Sequence, residues 1–161
     1  MEKICKVELL TSEAFAPFGT VLECTDDKIA GDNDIVKHWH DLASLDSLGE
    51  DPVAAFVITH RRDFIISKLE RHEKSSEIFF PARGMAAMPF AVSLPNGDPD
   101  LESLRVFLLT PDKPFVSGKG VWHWVPFPLD QHWETYLLVE KKLIGHDIEE
   151  RDLGIQIKIE F

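Results

Sequence analysis

LERHEKSSEIFFPARG, residues 69–84, sets an acid, a histidine, a second acid and a glycine at fixed intervals: Glu70, His72, Glu77 and Gly84. In an extended strand, side chains two apart share a face, so Glu70 and His72 point the same way. Glu77 returns to them after a turn made by Glu73 to Ser76. A second stretch, GKGVWH at 118–123, ends on His123. The expectation is two neighbouring strands whose inward side chains meet in one polar pocket inside a β-barrel. Gly84 fits the same pattern, because the backbone must bend beyond the pocket where a Cβ would clash.

The flanking sequence supports a β fold. VAAFVITH, EIFFPARG, MAAMPFAVSLP, LRVFLLT, VWHWVPFPL and ETYLLVEKK are short runs rich in branched and aromatic residues, separated by Gly, Pro, Asn and Asp. TSEAFAPFG reads as one helical turn, capped by Thr11 or Ser12 and stopped by Pro17 and Gly19. TDDKIAGDNDI is a loop or hairpin, and His38 and His40 just after it share a strand face. GIQIKIEF alternates with a period of two and is expected to be a half-exposed edge strand. About ten short strands with turn signals every 8 to 12 residues indicate an all-β sandwich or barrel. At 161 residues, one domain covering 1–161 is expected.

Composition narrows the partners. Acidic residues outnumber basic ones by 28 to 17, and the net charge of -11 repels phosphate backbones and anionic lipid, so neither nucleic acid nor membrane is an expected partner. Cys5 and Cys24 are too few to staple a secreted domain, and no signal-like run opens the chain. A cytoplasmic location is therefore expected.

A divalent metal site needs three or four nitrogen and oxygen donors converging on one point, with a position left open for substrate or water. Glu70, His72, Glu77 and His123 are such a set, and Ni, Mn, Zn or Fe would suit it. The spacing from Glu70 to Gly84 resembles the first signature of the cupin superfamily, with Glu70 where most cupins carry their first histidine. Gly120 and His123 resemble the core of the second signature, although Gly118 and Phe127 replace its proline and asparagine. The resemblance implies a cupin-type double-stranded β-helix, or jelly roll, with one or two short helical turns.

More narrowly, the chain resembles ureidoglycolate lyases, through LTSEAFAPFG at 10–19, WHDLA at 39–43, LERH and IFFPARG, PDLESLRVFL at 99–108 and GVWHWVPF at 120–127. That resemblance implies release of urea and glyoxylate from a small anionic 2-hydroxy acid, by an enzyme that is commonly a homodimer. Glu70, His72, His123, Arg71, His40 and Trp122 match family residues. Glu77 stands where the family usually has Gln, Trp124 replaces a histidine, and Val116 and Ser117 replace an aromatic and a histidine. His40 is the expected proton donor to the leaving nitrogen, and Lys74 the expected partner of the substrate carboxylate. Arg71 and Trp122 are further candidates for substrate contact, with core or dimer packing the competing reading for Trp122. GIQIKIEF is the candidate dimer edge. The alternatives are a metal-dependent cupin enzyme of other chemistry, such as an isomerase or oxygenase, and a binding module for a small anion without turnover.

Overall fold

The computed structural model describes residues 3–142 and 146–161. Its strands are β1 (Lys3–Leu9), β2 (Gly19–Val21), β3 (Ile29–Asp32), β4 (Lys37–Trp39), β5 (Pro52–His60), β6 (Ile65–Arg71) and β7 (Glu77–Arg83). There follow β8 (Ala86–Ala91), β9 (Arg105–Leu109), β10 (Phe115–Ser117), β11 (Trp122–His123), β12 (Phe127–Pro128), β13 (His132–Glu140) and β14 (Glu149–Glu160). The one-turn helix α1 (Ser12–Phe15) starts where the sequence places it: Thr11 Oγ1 accepts from the Ala14 amide at 3.1 Å. A 3₁₀ turn at Asp26–Lys28 leads into the β3–β4 hairpin. No helix among the described residues is long and apolar enough to cross a membrane.

The strands outnumber the expected ten because long apolar runs are interrupted. VWHWVPFPL splits into β11 and β12 around Trp124–Pro126, where proline cannot donate to a ladder. Arg62 occupies the carbonyls of Val125 and Pro126 that the break frees.

Two sheets make the body of the molecule. The larger runs β11-β6-β14-β1-β9-β8-β12, and β11 also pairs with β8, so six of its strands close into a ring. The smaller runs β2-β10-β7-β13-β5. Alternation divides the larger sheet's side chains between two cores. Ala87, Ala91, Val106, Trp122, Ile157 and Ile159 pack together on one face. Met88, Phe90 and Phe107 turn the other way and meet Phe79, Phe115 and Trp133 of the smaller sheet. Phe15 of α1 plugs this second core, with its ring edge-on to Phe90, Phe107 and Phe115 at 5.0 to 5.5 Å.

The all-β, cupin-type architecture expected from the sequence is what is observed. The reading of GIQIKIEF as an edge is corrected, because β14 lies inside the larger sheet between β6 and β1. Its pattern misleads because the ladder to β6 breaks between Asp152 and Ile157, next to Gly154 at φ +65°. Ile155 is left 46% exposed there, while Ile157 and Ile159 are buried.

Candidate functional site

The four proposed ligands meet between the sheets. Glu70 closes on His123 because β6 and β11 pair with these two residues directly opposite each other. His72 follows β6, and its carbonyl accepts from the Gly120 amide at 2.7 Å, tying the two signature segments together. Glu77, the first residue of β7, reaches in from the smaller sheet. Ligand atoms of Glu70, His72 and His123 all lie within 4.8 Å of one another. Glu77 Oε2 is 3.3 Å from His72 Nε2 and 3.2 Å from His123 Nε2, and Glu70 Oε1 is 3.9 Å from His123 Nε2.

These groups fit a divalent ion. Bonds of about 2.1 Å at tetrahedral to octahedral angles put neighbouring ligand atoms roughly 3.0–3.4 Å apart, which matches the spacings around Glu77. Both imidazoles are also held from behind. His72 Nδ1 lies 3.0 Å from the Asp147 carbonyl and His123 Nδ1 3.0 Å from the Val121 carbonyl, so Nδ1 carries the donated proton and neutral Nε2 presents its lone pair inward. Glu77 Oε2 then faces two lone pairs and has no hydrogen-bond donor, although Glu77 is only 7% exposed. Two states relieve this arrangement: protonated imidazoles, or a cation bound by all three groups. Without metal the first governs at His72. Burial alone would lower the pKa of His72, yet the hydrogen bond and charge of Glu77 outweigh it and raise the value to about 9. Burial likewise pushes Glu77 up, and hydrogen bonds from His123 and His72 bring it down to about 2. Glu70 lacks so close a partner, and burial raises its pKa.

A cavity of about 170 Å³ adjoins these side chains, lined by Glu70, Glu77 and His123 together with residues of β5 and β13. At about 30 Å³ per water in the liquid, it has room for a molecule the size of a small organic acid. A second lobe shares Glu70 and Glu77 and adds His72 and Ile148.

Strand alternation places two of the expected site residues on the opposite face. Arg71 and Trp122 each neighbour a ligand in sequence and therefore face away from the site. Arg71 stacks over Trp122 at 4.9 Å, donates to Glu149 at 2.8 Å and reaches Ser93 at 3.0 Å. Trp122 is wholly buried in the other core, with Nε1 donating to the Gly97 carbonyl. They form a stacked pair on the face away from both lobes. Lys74 is exposed and lines neither lobe; its backbone amide donates to Asp147. His40 is also exposed, on the β3–β4 hairpin beside His38, and lines neither lobe. No lysine or arginine is among the described lining residues.

Sequence reasoning missed Thr59, Trp133 and Thr135, which line the cavity from the smaller sheet. The signal available was parity: Thr59 continues the inward row of Val57 in VAAFVITH, and Trp133 and Thr135 continue that of Leu137.

The ureidoglycolate lyase family profile matches residues 2–160. A protein named ureidoglycolate lyase from Pseudomonas savastanoi pv. phaseolicola is 32% identical over 152 residues, covering 89% of this chain and 86% of the relative. One of the same name from Pseudomonas aeruginosa strain LESB58 is 31% identical, covering 90% and 88%. Another from a Chelativorans species is 28% identical, covering 93% and 92%. With a match that long, and with the residues of both signatures brought together in one cavity, the chain belongs to the ureidoglycolate lyase family.

Proposed function

We propose that this protein cleaves ureidoglycolate to urea and glyoxylate, as a single domain over residues 1–161, with a divalent ion held by Glu70, His72, Glu77 and His123. The observation that supports this most is the meeting of these four side chains at one cavity in a chain whose family is named for the reaction. Nickel, manganese, zinc and iron all suit the two-nitrogen, two-oxygen donor set. When bound, such an ion supplies Lewis acidity that lowers the pKa of a coordinated hydroxyl.

The chain's own groups then account for the proton. Glu70 lines both lobes and takes the part first expected of His40. It accepts the substrate's hydroxyl proton as the C=O bond of glyoxylate forms. The C–N bond breaks, its electron pair goes to nitrogen, and Glu70 returns the proton there. Water is not consumed and no electrons are exchanged. Apolar lining from Val57, Phe79, Met88 and Leu137 limits solvent around the reacting atoms.

The protein is read as cytoplasmic, consistent with its two free cysteines. A homodimer is proposed along β5 in place of β14. Strand β5 is an edge, carries no charged residue from 53 to 59, and leaves Phe56 and Ile58 nearly half exposed.

Glyoxylate release from ureidoglycolate tests the activity, and metal analysis of the same preparation tests the site. His123→Ala should lose more than the roughly 10–100-fold typical of residues that merely support a ligand, and should lose metal while keeping its far-ultraviolet spectrum. An unaltered rate would remove His123 from the reaction.

A further inference from the structure

Thr59 and Trp133 oppose each other directly in the β5–β13 ladder, with both side chains on the face that lines the 170 Å³ cavity. Thr59 is 6% exposed and Trp133 0%. Among the described residues, neither Thr59 Oγ1 nor Trp133 Nε1 has a hydrogen-bond partner. Buried polar side-chain atoms are normally paired, and leaving one unpaired costs free energy that a fold avoids unless the group has a use. Two such atoms, carried by cross-strand neighbours that line one cavity, are a hydroxyl that both donates and accepts and an indole N–H that only donates.

Their position relative to the metal ligands gives them a direction. Leu137 pairs with Phe79 and Thr135 with Pro81, so Trp133 and Thr59 lie toward the end of the smaller sheet remote from Glu77. One cavity runs from Glu77 and His123 to this pair.

We infer that Thr59 and Trp133 form a specificity-determining subsite for a planar amide or ureido group. Trp133 Nε1–H donates to the ureido carbonyl oxygen, and Thr59 Oγ1 accepts from an N–H of the same group. The assignment of a ureido ligand rests on the lyase reading above; the unpaired atoms and their shared cavity do not. The subsite separates substrates that carry the ureido group from acids that lack it. A site built to hydrogen-bond a group discriminates strongly against analogues without it, because its own buried atoms then stay unpaired.

The test uses two unreactive probes on the protein as purified: N-carbamoylglycine, which has the ureido group and no hydroxyl, and glycolate, which has the hydroxyl and no ureido group. Dissociation constants are measured by calorimetry for wild type, Thr59→Val, Thr59→Ser and Trp133→Phe. Thr59→Val and Trp133→Phe should each weaken N-carbamoylglycine about tenfold or more while glycolate stays within about twofold. Thr59→Ser, which keeps the hydroxyl, should restore most of the loss. Equal weakening of both probes, no weakening of N-carbamoylglycine, or failure of wild type to bind it overturns the subsite. The two readings fail separately. If wild type releases no glyoxylate yet binds N-carbamoylglycine through these residues, the lyase reading falls and the subsite stands. If glyoxylate release is normal and the variants discriminate as wild type does, the subsite falls.

Discussion

Glu77 lies between two imidazoles, and that placement sets a pH window for the metal-free protein. His72 rises from its ordinary 6.5 to about 9, and Glu77 falls from 4.5 to about 2. A histidine raised by folding stabilises below its unfolded pKa and loses that contribution as pH climbs through the folded value. A carboxylate lowered by folding stabilises above its unfolded pKa and loses that contribution as pH falls. Metal-stripped protein should therefore be most stable from about pH 4.5 to about 6.5, declining toward 9 on one side and toward 2 on the other. Glu77→Gln removes the carboxylate that raises His72, so both slopes should flatten; calorimetric melts of the two proteins across that range, running parallel, would contradict the coupling. That Glu70 and His72 share a face was legible in the sequence because a strand period of two fixes it, whereas His123 joins them only through the pairing of β11 with β6. By that same period Arg71 and Trp122, expected from family likeness to contact substrate, fall on the opposite face. Thr59 and Trp133 stayed hidden because their meeting depends on pairing β5 with β13 across more than seventy residues of intervening chain.

Elements divide between those that tolerate change and those that do not, and the two signature glycines show the difference. Gly84 has φ +79°, and a Cβ there would stand 2.9 Å from the His132 carbonyl oxygen. Gly120 has φ +69°, with nothing within 4 Å of the same position. Gly84→Ala thus combines conformational strain with a backbone clash between β7 and β13, whereas Gly120→Ala carries the strain alone. Strain of this kind costs on the order of 1–3 kcal/mol. Thermal melts should place Gly84→Ala several degrees below Gly120→Ala, and the reverse order would mean that the turn after β7 relaxes freely. Edges were harder to read than strands, because which strand ends a sheet depends on the order of all the others. GIQIKIEF alternates as an edge strand does, yet β14 has a partner on each side. Strand β5 is an edge of the smaller sheet, where Phe56 opposes Tyr136 and Tyr136 opposes Phe80 to make an exposed aromatic row across three strands. Phe56→Glu should convert a dimer to monomer in light scattering, since a buried unpaired charge at a two-fold contact is placed there twice. A dimer that survives this change lies on another face.

Over the whole molecule, closure of the larger sheet into a ring decides where the site can be. One face of that sheet is consumed by its own core, so the polar groups of β6 and β11 gather on the other, against the smaller sheet. The β class was legible from alternation and turn residues; ring closure was not, because it rests on the pairing of two-residue β11 with both β6 and β8. Charge was legible without any structure, and it bears on catalysis. The chain carries a formal charge of -11, and no lysine or arginine is among the described residues lining either lobe. An anionic 2-hydroxy acid therefore approaches a repelling surface and meets attraction only close to a bound cation. Salt screens the long-range part most: the Debye length shrinks from about 30 Å at 0.01 M to about 8 Å at 0.15 M, while contacts inside the cavity are screened little. The value of kcat/KM for ureidoglycolate should accordingly rise about two- to fivefold over that interval and then level off, with kcat nearly unchanged. A fall in kcat/KM with added salt would mean that an attractive local field at the mouth outweighs the net charge, and the approach would then be steered by the metal site.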